Sequence, residues 1–274
     1  MLTLVASPIG NLSDITYRAV ETLRAADVVF CEDTRRSLQL LNHLDIKKPL
    51  VSCHAHNERE RAAELVARLR EGQSVAYLSD AGMPGISDPG AALVSACIEA
   101  GLPYTVLPGA SAVLTAAVLS GLPCGSFSFF GFLPRDGRGR RAALARIADC
   151  GHLAILYESP HRVGATFRAL YDALGDCPAA LLRELTKKFE SVERGALSEL
   201  AARFSEAEPR GECVIAVLCQ KQAAPEPGEA ALDALLLAAL SEGRTVRDAA
   251  ALAAERLGLP KKQAYARALA LRED

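Results

Sequence analysis

Tryptophan is absent from the 274-residue chain and aromatic residues make up only 5% of it. That argues against a single-strand binder that stacks bases on an aromatic surface. No CxxC pair occurs among the eight cysteines at 31, 53, 97, 124, 150, 177, 213 and 219, so zinc-ribbon and thioredoxin-type readings have no support. The cysteines fall mostly in apolar runs and read as small buried hydrophobes of a reducing compartment. His54 and His56 form an HxH pair, but no further ligand cluster accompanies it, and no metal is expected. Neither GxxxxGK[ST] nor a GxGxxG after the first strand is present, so nucleotide phosphates are poorly provided for. Ser159 and His161 lack the GxSxG context of a hydrolase. The N-terminal stretch has no basic segment and too short an apolar run for a signal peptide, so a cytoplasmic location is expected. Positive charge is not in excess either: 31 Lys+Arg against 33 Asp+Glu give a net charge of −2. This excludes coating nucleic acid by bulk charge but leaves room for a local basic patch.

What is present is hydrophobic surface. Half of the residues are hydrophobic and 23% charged, enough for a sizeable core in one large or two medium domains. The 35 residues from Ala100 to Pro134 carry no charge, a length that invites a membrane reading. Gly101, Pro103, Pro108, Gly109, Gly121, Pro123, Gly125, Gly131 and Pro134 cut it into pieces that suit buried strands and a helix instead.

Strand-like and helix-like segments alternate. Strands are expected at 2–7, 27–31, 49–54, 74–79 and 103–108 with helices between them, the pattern of a mainly parallel sheet covered on both faces. Residues 110–122 read as a buried helix leading to a second α/β unit. Strands there are expected at 127–134, 152–159, 177–185 and 211–219, and a helix in 192–206. Residues 221–230 read as a linker, and 231–272 as helices with their own charge pattern. The expected division is 1–112, 113–220, the linker, and 231–274.

Four predicted strands run into loops that would open on one sheet edge, where ligands bind in open parallel sheets. These loops are Ser7–Leu12, Glu32–Arg35, Ser79–Gly90 and Pro108–Ala112. Glycine admits close approach to the backbone and proline stiffens it. Four such loops make a main-chain wall fit for an adenosine-sized ligand, although any one alone reads as a turn. With little positive charge, the wall suits a neutral or cationic ligand, and the sulfonium of S-adenosylmethionine is one candidate. Glu32, Asp33 and Arg35 read equally as ligand or RNA contacts and as a helix cap.

The ordered segments SPIGNLSDIT (7–16), EDTR (32–35), SDAGMPGISDPG (79–90), PGASA (108–112), GFLPR (131–135), YESPHR (157–162), RELTK (183–187) and GE (211–212) carry a resemblance. The chain resembles the tetrapyrrole-methylase superfamily and, within it, the ribosomal RNA small-subunit methyltransferase I branch, over roughly 1–220 plus a helical tail. Ser7 and Met83 stand where threonine is usual. The resemblance implies two α/β domains with a cofactor cleft between them, followed by a small helix-turn-helix-like domain. It also implies S-adenosyl-L-methionine as cofactor, 2′-O-methylation of a decoding-region cytidine ribose in 16S rRNA, and a homodimer. Carried over, the cofactor contacts are Pro8, Gly10, Asp80, Gly82, Met83, Pro84, Ser111 and Ala112, with Tyr157 and Arg183 from the second domain. A small-molecule tetrapyrrole methylase and a non-catalytic ribosome-assembly protein are the alternatives.

A ribose hydroxyl is a poor nucleophile, so an acceptor for its proton is expected. Glu158, Glu184 and Lys187 are the candidates, with Asp80 beside them. Glu158 is preferred at a strand end, against the reading that it merely pairs with Arg162. RNA needs local positive charge. Arg135, Arg138, Arg140, Arg141 and Arg146 against Asp136 give +4 over 135–146. Seven basic residues against two acidic ones give +5 over 244–272, with Lys261, Lys262 and Arg267 on what resembles the second helix of a helix-turn-helix. Solvated helix faces are the alternative for both patches.

Overall fold

The computed structural model describes residues 1–220 and 229–273. The predicted linker, 221–230, falls mostly outside them. Two compact units result, one ending at Gln220 and one formed by the C-terminal helices.

The first unit holds two five-stranded sheets. The first sheet contains β1 (Leu2–Val5), β2 (Val28–Cys31), β3 (Leu50–Ser52), β4 (Val75–Leu78) and β5 (Tyr104–Val106) in the order β3-β2-β4-β1-β5. Every pairing in it is parallel. Its faces alternate as the pleat requires. Leu2, Leu4, Val28, Phe30, Val75 and Tyr77 pack with α3 (Glu58–Arg70) and α4 (Ala91–Glu99). Val5, Val29, Cys31, Ala76 and Leu78 pack with α1 (Tyr17–Ala25) and α2 (Thr34–His43). With both faces covered, the strands read as uninterrupted apolar runs, which is why their places were legible.

The second sheet contains β6 (Phe127–Phe132), β7 (Leu153–Glu158), β8 (Pro178–Arg183), β9 (Ser191–Ala196) and β10 (Cys213–Leu218) in the order β6-β7-β10-β8-β9. Only β6 and β7 are parallel; β10 runs antiparallel to β7 and β8, and β8 to β9. One face is covered by α5 (Ala112–Leu119) through Val113, Ala116 and Ala117. The other carries α6 (Gly137–Asp149), α7 (Val163–Leu174) and α8 (Leu197–Glu206). Two features depart from expectation. The helix expected within 192–206 runs from Leu197 to Glu206, and the residues before it form the edge strand β9, which was not expected. Pairing with all six residues of β8 decides this over local propensity. The helix expected to be buried, α5, is buried on one face only: Leu114 and Val118 are 56% and 74% exposed.

The second unit stacks α9 (Glu229–Ser241), α10 (Val246–Leu257) and α11 (Lys261–Glu273) around Leu232, Leu236 and small residues such as Ala250, Ala253 and Ala264. The Thr245 hydroxyl caps α10 by accepting from Asp248 N–H, and Gly258 ends it in the left-handed conformation at φ 67°. Among the described residues no helix is long and apolar enough to cross a membrane. All eight cysteines are free, six of them buried and Cys124 and Cys150 half-buried.

Candidate functional site

The four loops do open on the C-terminal edge of the first sheet, and two are stitched together. Ser7 and Gly82 exchange backbone hydrogen bonds, Ser7 N–H to Gly82 O at 3.1 Å and Gly82 N–H to Ser7 O at 2.9 Å. The Ser7 hydroxyl donates to Ser79 O, and the Ser79 hydroxyl to Gly82 O at 2.6 Å. This fixes a main-chain ridge in which Gly82 sits at φ 79°, a backbone conformation that glycine reaches without strain. The far end of the 79–90 loop is held by Glu58, whose Oε1 accepts from Gly90 N–H at 2.7 Å and Ala92 N–H at 3.0 Å. Glu58 thereby caps α4, whose own N-cap, Gly90, has no side chain. Nothing local in the sequence reveals this, because the cap comes from another helix.

On one side of the ridge lies a cavity of about 400 Å³. The first sheet's loops contribute Ile9, Gly82, Met83, Asp88, Ser111 and Ala112, and the second sheet's contribute Phe132, Tyr157, Leu185 and Glu212. Phe132 and Tyr157 meet edge-to-face at 5.6 Å, giving an aromatic wall opposite the main-chain wall. Predicted contacts Gly82, Met83, Ser111, Ala112 and Tyr157 are therefore brought together. Pro84 is buried within the 79–90 loop, and its Cβ would touch a Cβ added to Gly90. Gly10 lies at the seam between the sheets. A Cβ there would come 2.5 Å from Lys187 Cγ and 3.0 Å from the Leu185 carbonyl, so that close approach requires glycine.

Other predicted residues fall elsewhere. Pro8 and Asp80 line a second cavity, which has no lining residue in common with the first. Asp80 Oδ1 accepts from Asp33 N–H at 3.0 Å. Arg183 turns away from the first cavity: its Nε and Nη2 donate to Arg210 O at 3.0 and 2.7 Å, so it fixes the chain entering the Gly211–Cys213 rim.

The three catalytic candidates are also held structurally. The Glu158 side chain has no solvent exposure. It accepts from Ser159 N–H at 2.8 Å and Thr166 Oγ1 at 2.7 Å, and lies 3.4 Å from Arg162 Nε. Both oxygens have partners, the arrangement expected of a structural carboxylate, and Glu158 also lines the first cavity. Glu184 accepts from Glu212 N–H at 2.8 Å and from Lys187 Nζ at 3.0 Å, and Lys187 also bridges to Glu212 Oε2 at 3.0 Å. The backbone hydrogen bond from Glu212 is the main reason the Glu184 carboxyl titrates below its ordinary value. The Glu184–Lys187 pair thus braces the rim.

Asp88, which sequence reasoning passed over, stands out. It lines the first cavity, and among the described residues it forms no ion pair. Burial pushes its carboxyl up to about 7, reinforced by the charges of Glu32 and Asp80. Burial likewise raises the Tyr157 hydroxyl to about 12, with Asp88 the next contributor. Burial also raises the Glu32 carboxyl, with Asp80 next. An unneutralised carboxylate held in a partly apolar cavity favours a cation. The signal available in the sequence was the second aspartate of the SDAGMPGISDPG loop.

The basic residues divide as well. Arg135, Arg138 and Arg141 are exposed at the start of α6. Arg140 instead donates to Ala165 O at 2.9 Å, tying α6 to α7. In the second unit Lys261 and Lys262 are exposed. Arg267 is clasped by Asp233 through two contacts of 2.7 and 2.6 Å. Arg267 thereby joins α11 to α9. Glu32 and Asp33 resolve in favour of structure in part: the Asp33 side chain caps α2 by accepting from Arg35 N–H.

The family model of the Tetrapyrrole (Corrin/Porphyrin) Methylases matches residues 1–201, and that of the RsmI C-terminal HTH domain matches 226–272. Proteins named ribosomal RNA small subunit methyltransferase I are similar along the chain. The one from Synechocystis sp. is 42% identical, covering 100% of this chain and 99% of its own. The one from Escherichia coli O157:H7 is 41% identical, covering 98% and 94%. Among solved structures, diphthine synthase matches 80% of this chain and 89% of its own at TM-score 0.62 and 19% identity. Uroporphyrin-III C-methyltransferase from Thermus thermophilus, in complex with S-adenosyl homocysteine, matches 79% and 96% at TM-score 0.56 and 20% identity.

Proposed function

The chain belongs to the tetrapyrrole methylases, and from that premise we propose that it is an S-adenosyl-L-methionine-dependent methyltransferase of small-subunit ribosomal RNA. The finer reading is transfer to the ribose 2′-oxygen of a decoding-region cytidine in 16S rRNA. The observation that carries the cofactor assignment is the first cavity's asymmetry. It has a main-chain wall at Gly82–Met83, an aromatic wall at Phe132 and Tyr157, and the unneutralised Asp88. These residues fit the cofactor: an aromatic wall for the adenine, backbone groups for its polar edges, and a carboxylate for its positive charge.

Bound there, S-adenosylmethionine supplies an electrophilic methyl group on a sulfonium. The chain's own residues supply position, which in favourable intramolecular cases contributes about 7–11 kcal/mol. Asp88 supplies a negative potential at the cavity wall. The Glu184–Lys187 brace keeps Glu212 at the rim. The fixed Glu158 holds the turn after Tyr157, because its carboxylate ties β7 to Thr166 of α7. Glu158, Glu184 and Lys187 act as positioning residues in this reading.

RNA is held by phosphate contacts from Arg135, Arg138 and Arg141 of the first unit and Lys261 and Lys262 of the second. The exposed Leu114–Val118 face of α5 supports a homodimer, and the ribosomal substrate supports a cytoplasmic location. Small ribosomal subunits lacking the modification, incubated with labelled cofactor, should gain one methyl group that maps to a cytidine ribose. Unmethylated subunits alongside a methylated free porphyrinoid would overturn the assignment. Deleting 228–274 should weaken RNA binding and leave calorimetric cofactor binding intact.

A further inference from the structure

The second cavity, about 310 Å³, is lined by Ser7, whose backbone pairs with Gly82 of the first cavity's lining. It lies at the lower end of the about 300–1,000 Å³ range of ligand pockets. Its walls are apolar: Pro8, Leu12, Leu40 and Leu78. Its polar groups are Arg36, Ser37, Gln39 and Asp80, together with Ser7 and Ser79, whose hydroxyls are spent on the ridge. Apolar sides with a donor-and-acceptor edge suit a planar heteroaromatic ring.

The two charged groups differ in freedom. Asp80 is only 15% exposed and is pinned by the Asp33 N–H, so its second oxygen is a fixed acceptor. Arg36 is 67% exposed and stands 3.6 Å from that oxygen, too far for a hydrogen bond and cheap to separate. Arg35 beside it is not comparable, because Asp33 holds its Nε and Nη2 at 3.1 and 2.8 Å. Arg36 is therefore a guanidinium poised at a cavity mouth with a weak partner. Among the described residues no cluster could hold a metal ion.

Resting on the RNA methyltransferase reading above, we propose that this second cavity receives an unpaired base of the RNA strand next to the methylated nucleotide. Arg36 covers the face of the base, while Asp80 and Gln39 meet its polar edge. Sequence-specific RNA recognition uses unstacked bases gripped in this way, by guanidinium planes and hydrogen bonds to base edges. A base anchored there would present the neighbouring ribose to the first cavity, so the Ser7–Gly82 pairing serves substrate register and cofactor alike.

The full-length variants Arg36→Ala and Gln39→Ala change exposed side chains and should fold normally. With small ribosomal subunits as substrate, each should raise KM at least fivefold, leave kcat within twofold and leave the calorimetric cofactor Kd unchanged. Arg36→Lys should fail to rescue, because an ammonium cannot cover a ring as a guanidinium does. In reconstituted subunits, changing one of the two nucleotides flanking the mapped methylation site should lower the wild-type kcat/KM and leave that of Arg36→Ala unaffected. An unchanged KM in both alanine variants overturns the proposal, and so does full rescue by Arg36→Lys, which would mark a phosphate contact only. Wild-type protein that leaves subunits unmethylated would instead refute the reading on which the proposal rests.

Discussion

Replacing Asp88 by Asn should stabilise the free protein at alkaline pH while weakening its hold on the cofactor. The carboxyl moves from its ordinary value of 3.8 to about 7, chiefly because it is buried. At about 1.4 kcal/mol per pH unit the full shift corresponds to roughly 4 kcal/mol. The group keeps contact with solvent at the cavity wall, and screening reduces this to about 1–2 kcal/mol. The sign follows from linkage. Below 3.8 the carboxyl is protonated in folded and unfolded chains alike, and it costs nothing. Between 3.8 and about 7 the unfolded chain ionises first, so stability falls as pH rises. The penalty builds through that window and is complete above it, so the Asn variant's advantage should grow from about pH 3.8 and reach its full size above about 7.

Cofactor binding runs the other way. Two unit charges about 6 Å apart attract by roughly 3 kcal/mol at an effective dielectric of about 20. Half of that is a tenfold loss of affinity in the variant. Wild-type affinity should fall as pH drops through about 7, and the variant's should not. Urea unfolding at pH 5 and pH 8, paired with calorimetric titration of S-adenosylmethionine at both, reads both effects. Equal stability at pH 8 together with equal affinity would refute the account of Asp88 as a strained counter-charge.

Glu158→Ala should lower stability by about 3–5 kcal/mol, since it strands Arg162 beside a buried gap. Glu158→Gln should lose less and keep cofactor affinity within twofold; a variant that folds normally but has lost all methyl transfer would restore Glu158 as proton acceptor. Lys261→Ala combined with Lys262→Ala should weaken RNA binding and reduce its salt slope by roughly 1–2, read by filter binding at several salt concentrations. Arg267→Ala should instead lower the melting temperature of the C-terminal unit, because it breaks the clasp with Asp233; unchanged melting with weakened RNA binding would return Arg267 to the RNA surface. Gly164→Ala should destabilise the first unit by about 1–3 kcal/mol or more, because a Cβ there overlaps the Phe204 carbonyl where α7 meets α8. Denaturant unfolding monitored by circular dichroism checks this.

The residue pattern alone specified the parallel sheet. Strands such as 28–31 and 75–78 are apolar on both faces, and helices with caps and glycine stops separate them, so local pattern and tertiary burial agree. It also determined that the loops bearing Ser7, Gly82 and Ser111 meet at one edge, because a parallel sheet puts all its strand ends on the same side. Which side chains face one another there was decided only by the tertiary structure. Asp80 and Asp88 belong to one loop, yet they line different cavities. Arg183 and Arg267 carry the charges expected of functional groups, and their partners Arg210 and Asp233 stand 27 and 34 positions away in sequence. The edge strand β9 existed only through its pairing with β8. Backbone pattern is a local property written along the chain. The partner of a charge is set by distances that exist only after folding, and the same carboxylate serves as brace or as binding group according to what folding places beside it.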